Sequence, residues 1–343
     1  MKQIQKQKLW VVLLLAVALL ALGACQSPST AEPAEESEAA EPAQEPAIPE
    51  SEVAPNVLAL KGPTGVGMAK MAADGAYSLR VVGSPDEVVA ALTSGEADIA
   101  AMPSNLAAKL YHKTEGQIVM LAITTYGSLY LLENGDSVDS IEDLRGQTVY
   151  ATGQGANPQY ILEYLLRAAG LYPGEDVEIV YKSEHSELAA LMAEGEVVLG
   201  MLPEPNVTVA MSKNPDLRIA LDLNQEWQNA AGGQLTMSCV AVRRAYLEAN
   251  PVSVQAFLTD LQVSIEYAQN NIAETAELCA ALEIIPSASL AEQAIPNCAL
   301  TYLSGAEMEP AMRDYYQVLL DADPSAIGGA LPAADFYYQP AQE

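Results

Sequence analysis

Short apolar runs of strand length recur along the middle of the chain, at residues 57–61, 79–83, 98–102, 118–125, 148–152, 177–181, 197–202, 218–223 and 235–243. They are rich in Val, Ile, Leu and Ala and are bounded by Gly, Pro, Ser and Asp, the composition of buried strands. Between them lie stretches of helical period. One starts at about Met68 and one runs from Ser84-Pro85 to Gly95. One follows Pro103-Ser104-Asn105, one spans 157–170 and one spans 186–195. Another follows Pro203-Glu204-Pro205-Asn206, and the last is 252–271. The remainder reads as helical, with no new strand run. Strands alternating with helices predict an α/β fold with a largely parallel sheet.

Residues 141–170 carry the clearest unit. A strand ends in the turn Gly153-Gln154-Gly155, and Asn157 is placed as helix N-cap with Pro158 as first helical residue. Ile161, Leu162, Leu165 and Leu166 then share one helix face, and Gly170 ends the helix. Such a turn leaves backbone N–H groups unpaired at a strand end, a site for a polar or anionic group. The alternative is turn chemistry with no ligand. Residues 92–105 and 191–206 echo each other, each a helix end, Gly-Glu, a buried strand and a turn containing proline. With two copies and no more, the echo predicts two similar α/β lobes with mostly parallel sheets, joined by a two-strand hinge rather than a solenoid. The expected crossings are 123–132 and 235–243. Lobe one is then 56–126 with 236–343, and lobe two is 127–235.

The N-terminus adds an address. Lys2, Lys6 and Lys8 precede an apolar run, residues 10–22, that is shorter than the roughly 20 residues of a membrane span. It ends in Leu22-Gly23-Ala24-Cys25, which resembles the lipobox of bacterial lipoproteins. The resemblance implies that residues 1–25 hold a signal peptide cut before a lipidated Cys25. The domain would then sit extracytoplasmically, anchored to the outer face of the cell membrane, or in a periplasm. A plain secretory signal or an uncleaved anchor is the alternative. Residues 26–55 hold eight glutamates, no Lys or Arg and few large apolar residues, which predicts a disordered, extended tether.

Charge and cysteines narrow the partners. The chain has 45 Asp plus Glu against 16 Lys plus Arg, a net charge of −29. This excludes a nucleic-acid partner, which requires a basic surface. Cys239 lies in a strand-like run and reads as a buried thiol. Cys279 and Cys298 flank an Ile-Ile-Pro loop, and in an oxidising compartment a disulfide between them is expected, contributing roughly 3 kcal/mol. Two buried thiols are the alternative. No cysteine or histidine spacing matches a metal site, and no cofactor is expected.

Gly62 and Gly67 have the spacing of a phosphate loop, but Met68 stands where that motif requires lysine. The segments 140–171, 188–207 and 241–261, in their order and spacing, resemble type II periplasmic substrate-binding proteins of ABC importers. The nearest group is the nitrate, sulfonate, taurine and thiamine-precursor binders. The resemblance covers about residues 56–285. It implies a monomeric receptor, not an enzyme, that holds a small solute between its lobes and delivers it to an ABC permease. Carried over by position, lobe one offers Gly62, Pro63, Thr64, Gly65, Gly67, Ser104, Asn105, Thr125 and Tyr126. Lobe two offers Gly153, Gln154, Gly155, Ala156, Asn157, Glu204 and Asn206. Local capping is the competing role for these side chains. Lys61 is the one base in these turns, and Glu204 would repel an anion. An amine or pyrimidine-like solute is therefore favoured over sulfonate or nitrate, with a solvated loop acid as the other reading of Glu204. An enzyme on the same fold and a tethered sensor remain as alternatives. His112 reads as lying on a helix face, and His185, within Lys-Ser-Glu-His-Ser, as solvated surface.

Overall fold

The computed structural model describes residues 52–340. The signal peptide, Cys25 and the tether up to residue 51 lie outside the described residues. The first half runs β1 (Asn56–Leu60), α1 (Pro63–Asp74), β2 (Ser78–Val82), α2 (Pro85–Ser94), β3 (Ile99–Pro103), α3 (Ser104–Lys113) and β4 (Ile118–Thr125). The second runs β5 (Leu129–Asn134), β6 (Thr148–Ala151), α4 (Asn157–Ala168), β7 (Glu178–Tyr181), α5 (His185–Ala193), β8 (Leu199–Pro203), α6 (Asn206–Lys213), β9 (Leu217–Asp222) and α7 (Leu223–Ala231). The chain then returns as β10 (Ser238–Arg243), α8 (Arg244–Ala249), α9 (Pro251–Asn270), α10 (Ile272–Ala281), α11 (Ala288–Ala294), β11 (Leu300–Ser304) and α12 (Met308–Ala322).

Two sheets result, ordered β11-β4-β10-β3-β1-β2 and β7-β6-β8-β5-β9. With the edge strand β11 set aside, the orders match place for place. β3 and β8, the two strands of the sequence echo, hold equivalent positions. In each sheet one strand runs against its neighbours: β10 is antiparallel to β3 and β4, and β5 is antiparallel to β8 and β9. These are the strands that directly follow a crossing. They start where the other strands end, so the direction of entry sets their sense. The parallel trios β2-β1-β3 and β7-β6-β8 lie on one side of these strands and β4 and β9 on the other, with β11 antiparallel to β4 at the edge.

The crossings are looser than continuous strands. β4 ends at Thr125 and β5 begins at Leu129. Residue 127 is held to glycine by a close approach, since a Cβ there would sit 2.3 Å from Asn224 Cβ. The return crossing is irregular up to β10 and is fixed by backbone bonds, Met237 N–H to Thr125 O and Ser104 N–H to Met237 O, both at 3.1 Å.

Helix α1 starts five residues before the expected Met68. Proline at its first position presets φ for a helix, and the glycines that read as a loop are packing positions inside it. A Cβ on Gly65 would lie 2.9 Å from Leu60 O and 3.1 Å from Ile284. One on Gly67 would lie 3.1 Å from Ile265. The tail also holds a strand that the sequence reading lacked. β11 pairs with β4 over a broken register, and it is half-buried along its length, so no alternation marks it.

The tail reaches both lobes. Tyr338 N–H donates to Met120 O in β4. On α12, Tyr315 packs against Trp227 of α7, which in turn packs against Tyr164 of α4. The expected Cys279–Cys298 bridge is absent. Both are free, buried thiols, packed with Val66, Ala69, Ile285 and Ile295. There they serve as small apolar side chains, and burial pushes the Cys279 thiol up to about 12.

The interlobe cleft as candidate functional site

A cleft of about 1320 Å³ opens between the two sheets. Its walls are built by helix starts. Pro63, Pro85, Asn157, His185 and Asn206, the first residues of α1, α2, α4, α5 and α6, all line it. Each helix follows a strand whose carboxyl end faces the cleft, as the fold dictates. The first-turn N–H groups of these helices have no intrahelical acceptor, and each helix dipole is positive at that end.

The predicted side chains divide into two groups. Gly62, Pro63, Thr64, Thr125, Gly153, Gln154, Gly155, Ala156, Asn157, Glu204 and Asn206 line the cleft. Gly65 and Gly67 face the packing described above. Ser104 and Asn105 are fully buried behind the wall. Ser104 Oγ donates to Thr236 O at 2.7 Å, and Asn105 Nδ2 donates to Ala326 O at 3.2 Å. Tyr126 turns to the tail, where its hydroxyl bonds Thr301, so it is not placed to stack on a solute.

Several lining residues have local duties. Thr64 Oγ1 donates to Leu60 O at 2.8 Å, and the Thr125 and Ser238 hydroxyls bond each other across the crossings. Gly153 and Gly155 both adopt left-handed φ, 76° and 78°, which shapes the turn as expected. Asn157, however, is not a cap. The helix already begins at Asn157, and its Nδ2 reaches lobe one instead, donating to Met237 O at 2.6 Å and Ser104 Oγ at 3.1 Å.

Glu204 differs most from its expected part. It is 2 % exposed and is neither a solvated acid nor free to meet an amine. Thr208 N–H and Thr208 Oγ1 donate to its two carboxylate oxygens, at 3.1 and 3.0 Å. It thus caps α6 from one residue further out than usual. Burial raises its pKa against the opposing pull of the Thr208 and Asn297 bonds.

The bases were under-counted in the sequence. Lys61 is joined on the cleft wall by Lys109 on α3, Lys182 and His185 at the start of α5, and Lys213 at the end of α6. Lys182 is 3.4 Å from Glu187. Asp86, Glu184 and Glu283 are the other acids on the wall. Four lysines against four acids leave the cleft wall balanced, where the chain as a whole carries a net charge of −29. His185 is half-buried rather than surface, its Nδ1 lies 2.5 Å from Thr152 Oγ1, and burial lowers its pKa to about 4. The ring is therefore neutral near pH 7. The tail loop, through Ala280, Glu283, Ile284 and Pro286, adds a third wall that sequence reasoning missed. Among the described residues no group of three or more His, Cys, Asp or Glu could hold a metal ion. Among them, too, no helix is long and apolar enough to cross a membrane.

Comparison with known proteins places this architecture. Residues 74–283, more than half of the chain, match the family model described as "ABC transporter, phosphonate, periplasmic substrate-binding protein". The chain belongs to this family. The protein is accordingly a substrate-binding component of an ABC import system, with the two-lobed fold of periplasmic binding proteins. It is similar to a solved ABC transporter protein from Parabacteroides distasonis, at 26 % identity and a TM-score of 0.71, over 85 % of this chain and 100 % of that one. It also resembles the periplasmic aliphatic sulphonate binding protein SsuA from Escherichia coli, at 16 % identity and a TM-score of 0.68, over 84 % and 92 % of the two chains. The periplasmic nitrate-binding protein NrtA from Synechocystis matches at 16 % identity and 0.51, over 66 % and 67 %. The latter two likenesses are of fold alone. No curated protein matches the sequence.

Proposed function

We propose that this protein is a lipid-anchored receptor, tethered through Cys25, that captures a small oxyanion between its lobes and delivers it to an ABC permease. A phosphonate is the favoured solute. The observation that carries this reading is the convergence of five helix N-termini and four lysines on one cleft. Helix starts bind oxyanions through free N–H groups and the dipole. Lysines along the walls raise the local concentration of anions against the acidic surface. The family description and the sulphonate and nitrate binders of the same fold lie on the same side. The preference for an amine read from the sequence rests on Glu204, whose carboxylate is buried and accepts from Thr208 on both oxygens.

In this reading the head group sits at the start of α4, against residues 155–157, with the His185 ring beside it. If Thr152 gives its hydroxyl proton to Nδ1, the neutral ring carries its own proton on Nε2 and donates it to the anion. Closure about the crossings at 126–128 and 232–237 then buries the solute.

A thermal-shift panel tests the class of solute, with methylphosphonate, methanesulfonate, nitrate, ethylamine and an aminopyrimidine. A ligand at about 100 times its Kd adds about 2.7 kcal/mol and raises the melting temperature on the order of 5 °C. Methylphosphonate is expected to give the largest shift and the amines none. A shift with the amines alone overturns the oxyanion reading.

A further inference from the structure

Asn157 carries a hydrogen-bonding demand that the protein does not meet. It is 1 % exposed, sits at the first position of α4 and lines the cleft. Its Nδ2 donates to Met237 O and to Ser104 Oγ. These two partners fix which way the amide points. Met237 O is a carbonyl and can only accept. Ser104 Oγ gives its own proton to Thr236 O at 2.7 Å, so towards Asn157 it accepts. The reversed amide would set an oxygen against two acceptors. Oδ1 is therefore the arm left over, and it is buried with no hydrogen-bond partner among the described residues. Buried polar atoms of that kind are few in folded proteins.

What surrounds this acceptor gives it a use. The helix starts, Lys61, Lys109, Lys182 and His185 on the cleft wall are donors or positive ends. Asn157 lines the cleft at the start of α4 with Oδ1 as an acceptor without a donor, and Tyr181 Oη on the same wall is likewise unpartnered among the described residues. Sulfonate and nitrate bring only acceptor oxygens. They would leave Oδ1 unpaired and set it against another oxygen. A singly protonated phosphonate or phosphate brings one O–H besides its acceptors.

We infer that Asn157 Oδ1 reads the hydroxyl of a singly protonated tetrahedral oxyanion, so that the cleft selects hydrogen phosphonate or hydrogen phosphate over sulfonate and nitrate. This rests on the oxyanion reading of the cleft and adds the discriminating atom to it. An amide suits the task better than a carboxylate, because aspartate at this position would repel the anion that the helix start attracts. The charged and titratable groups on the cleft walls are Lys61 ahead of α1, Asp86 of α2, Lys109 of α3, Tyr181 of β7, Lys182, Glu184 and His185 at α5, Glu204 and Lys213 at the two ends of α6, and Glu283 of the tail loop.

The test is calorimetric titration of the whole protein with methylphosphonate, inorganic phosphate and methanesulfonate from pH 5.5 to 8.5. Methanesulfonate does not titrate in this range, so it reports the protein's own ionisations. The ratio of affinities removes them, along with any change in lobe closure. At the acid end, methylphosphonate or phosphate is expected to bind about tenfold or more tighter than methanesulfonate, because a site built for a hydroxyl rejects a ligand lacking it. The preference is expected to shrink as the ligand loses its second proton. Asn157→Leu should reduce the ratio to about threefold or less, a loss of that one bond. Ser104→Ala removes a partner of Nδ2 but keeps Oδ1, so it should change both affinities and leave the ratio standing. A wild-type ratio near one, or one flat with pH, overturns the role of Asn157 while leaving the oxyanion receptor intact. Binding of none of the three ligands overturns both.

Discussion

Glu133→Ala is expected to lower the unfolding free energy by roughly 2 kcal/mol at pH 7, the cost of leaving buried donors without a charged acceptor. Glu133 lies on β5 with 1 % exposure. Its carboxylate accepts from Ser137 N–H at 2.9 Å, Ser137 Oγ at 2.5 Å, Val138 N–H at 3.2 Å and Arg218 Nη2 at 2.6 Å. Truncation leaves the loop donors without their acceptor and takes one carboxylate from Arg218 of β9, which keeps Gly135 O, Val138 O and Asp139, in the lobe that supplies three helix starts to the cleft. Burial alone would raise the carboxyl pKa, but the bonds from Ser137, Val138 and Arg218 outweigh it and hold it below the ordinary 4.5. A lowered folded value means the stabilisation is complete above 4.5 and is lost as pH falls through the folded value. Urea unfolding of both proteins at pH 7 and at pH 3 measures this. The gap between wild type and variant should narrow in acid. An equal gap at both values would show that the carboxylate charge contributes nothing.

His185→Ala is expected to weaken methylphosphonate binding by roughly 10- to 100-fold, the loss of one hydrogen bond to a charged group. On acidification the same variant should behave like Glu133→Ala and lose less stability than wild type, because both remove a group whose pKa is lowered on folding. The imidazole is buried neutral, with its pKa lowered to about 4 from 6.5. Between those values the unfolded chain binds a proton that the folded one refuses, so wild type loses stability as pH falls through this window. His185→Ala removes that loss, and its melting temperature should fall less than that of wild type between pH 6.5 and 4. Unchanged phosphonate affinity would remove His185 from the site. Parallel melting curves would show that the ring is solvated after all.

Most of the strands could be read from the sequence because they are buried runs bounded by turn residues. β4 falls on the expected 118–125, and β3 and β8 hold the equivalent places that the repeated Gly-Glu segments suggested. The fold failed to show where packing overrides local composition. Residues 62–67 look like a loop until Leu60 and Ile284 are seen to exclude any side chain at Gly65. β11 is a half-buried edge in a helical tail. The two buried thiols could not be told from a disulfide by spacing.

The site was legible by position and misread by chemistry. Strand ends and their turns are where the cleft lies, because chain direction alone puts them there. Which side chain faces it depends on helix phase and on neighbours distant in sequence. Lys109 and Lys213 reach the cleft from within or at the end of helices, not from turns. His185 sits in a polar run but at the first position of a helix, against Thr152 just past the end of β6. Glu204 turned out to be a cap because Thr208, four residues on, presents two donors to it.

A crystal structure of the protein with methylphosphonate is the most direct test of the central claim. The account predicts phosphonate oxygens at about 2.7–3.0 Å from the Asn157 N–H and from the His185 ring, between lobes closed on it, since the Gly155 and Ala156 N–H groups already donate to Gln159 Oε1 and Gly153 O. A phosphonate bound outside the cleft, or one held in the cleft away from the start of α4, would contradict it.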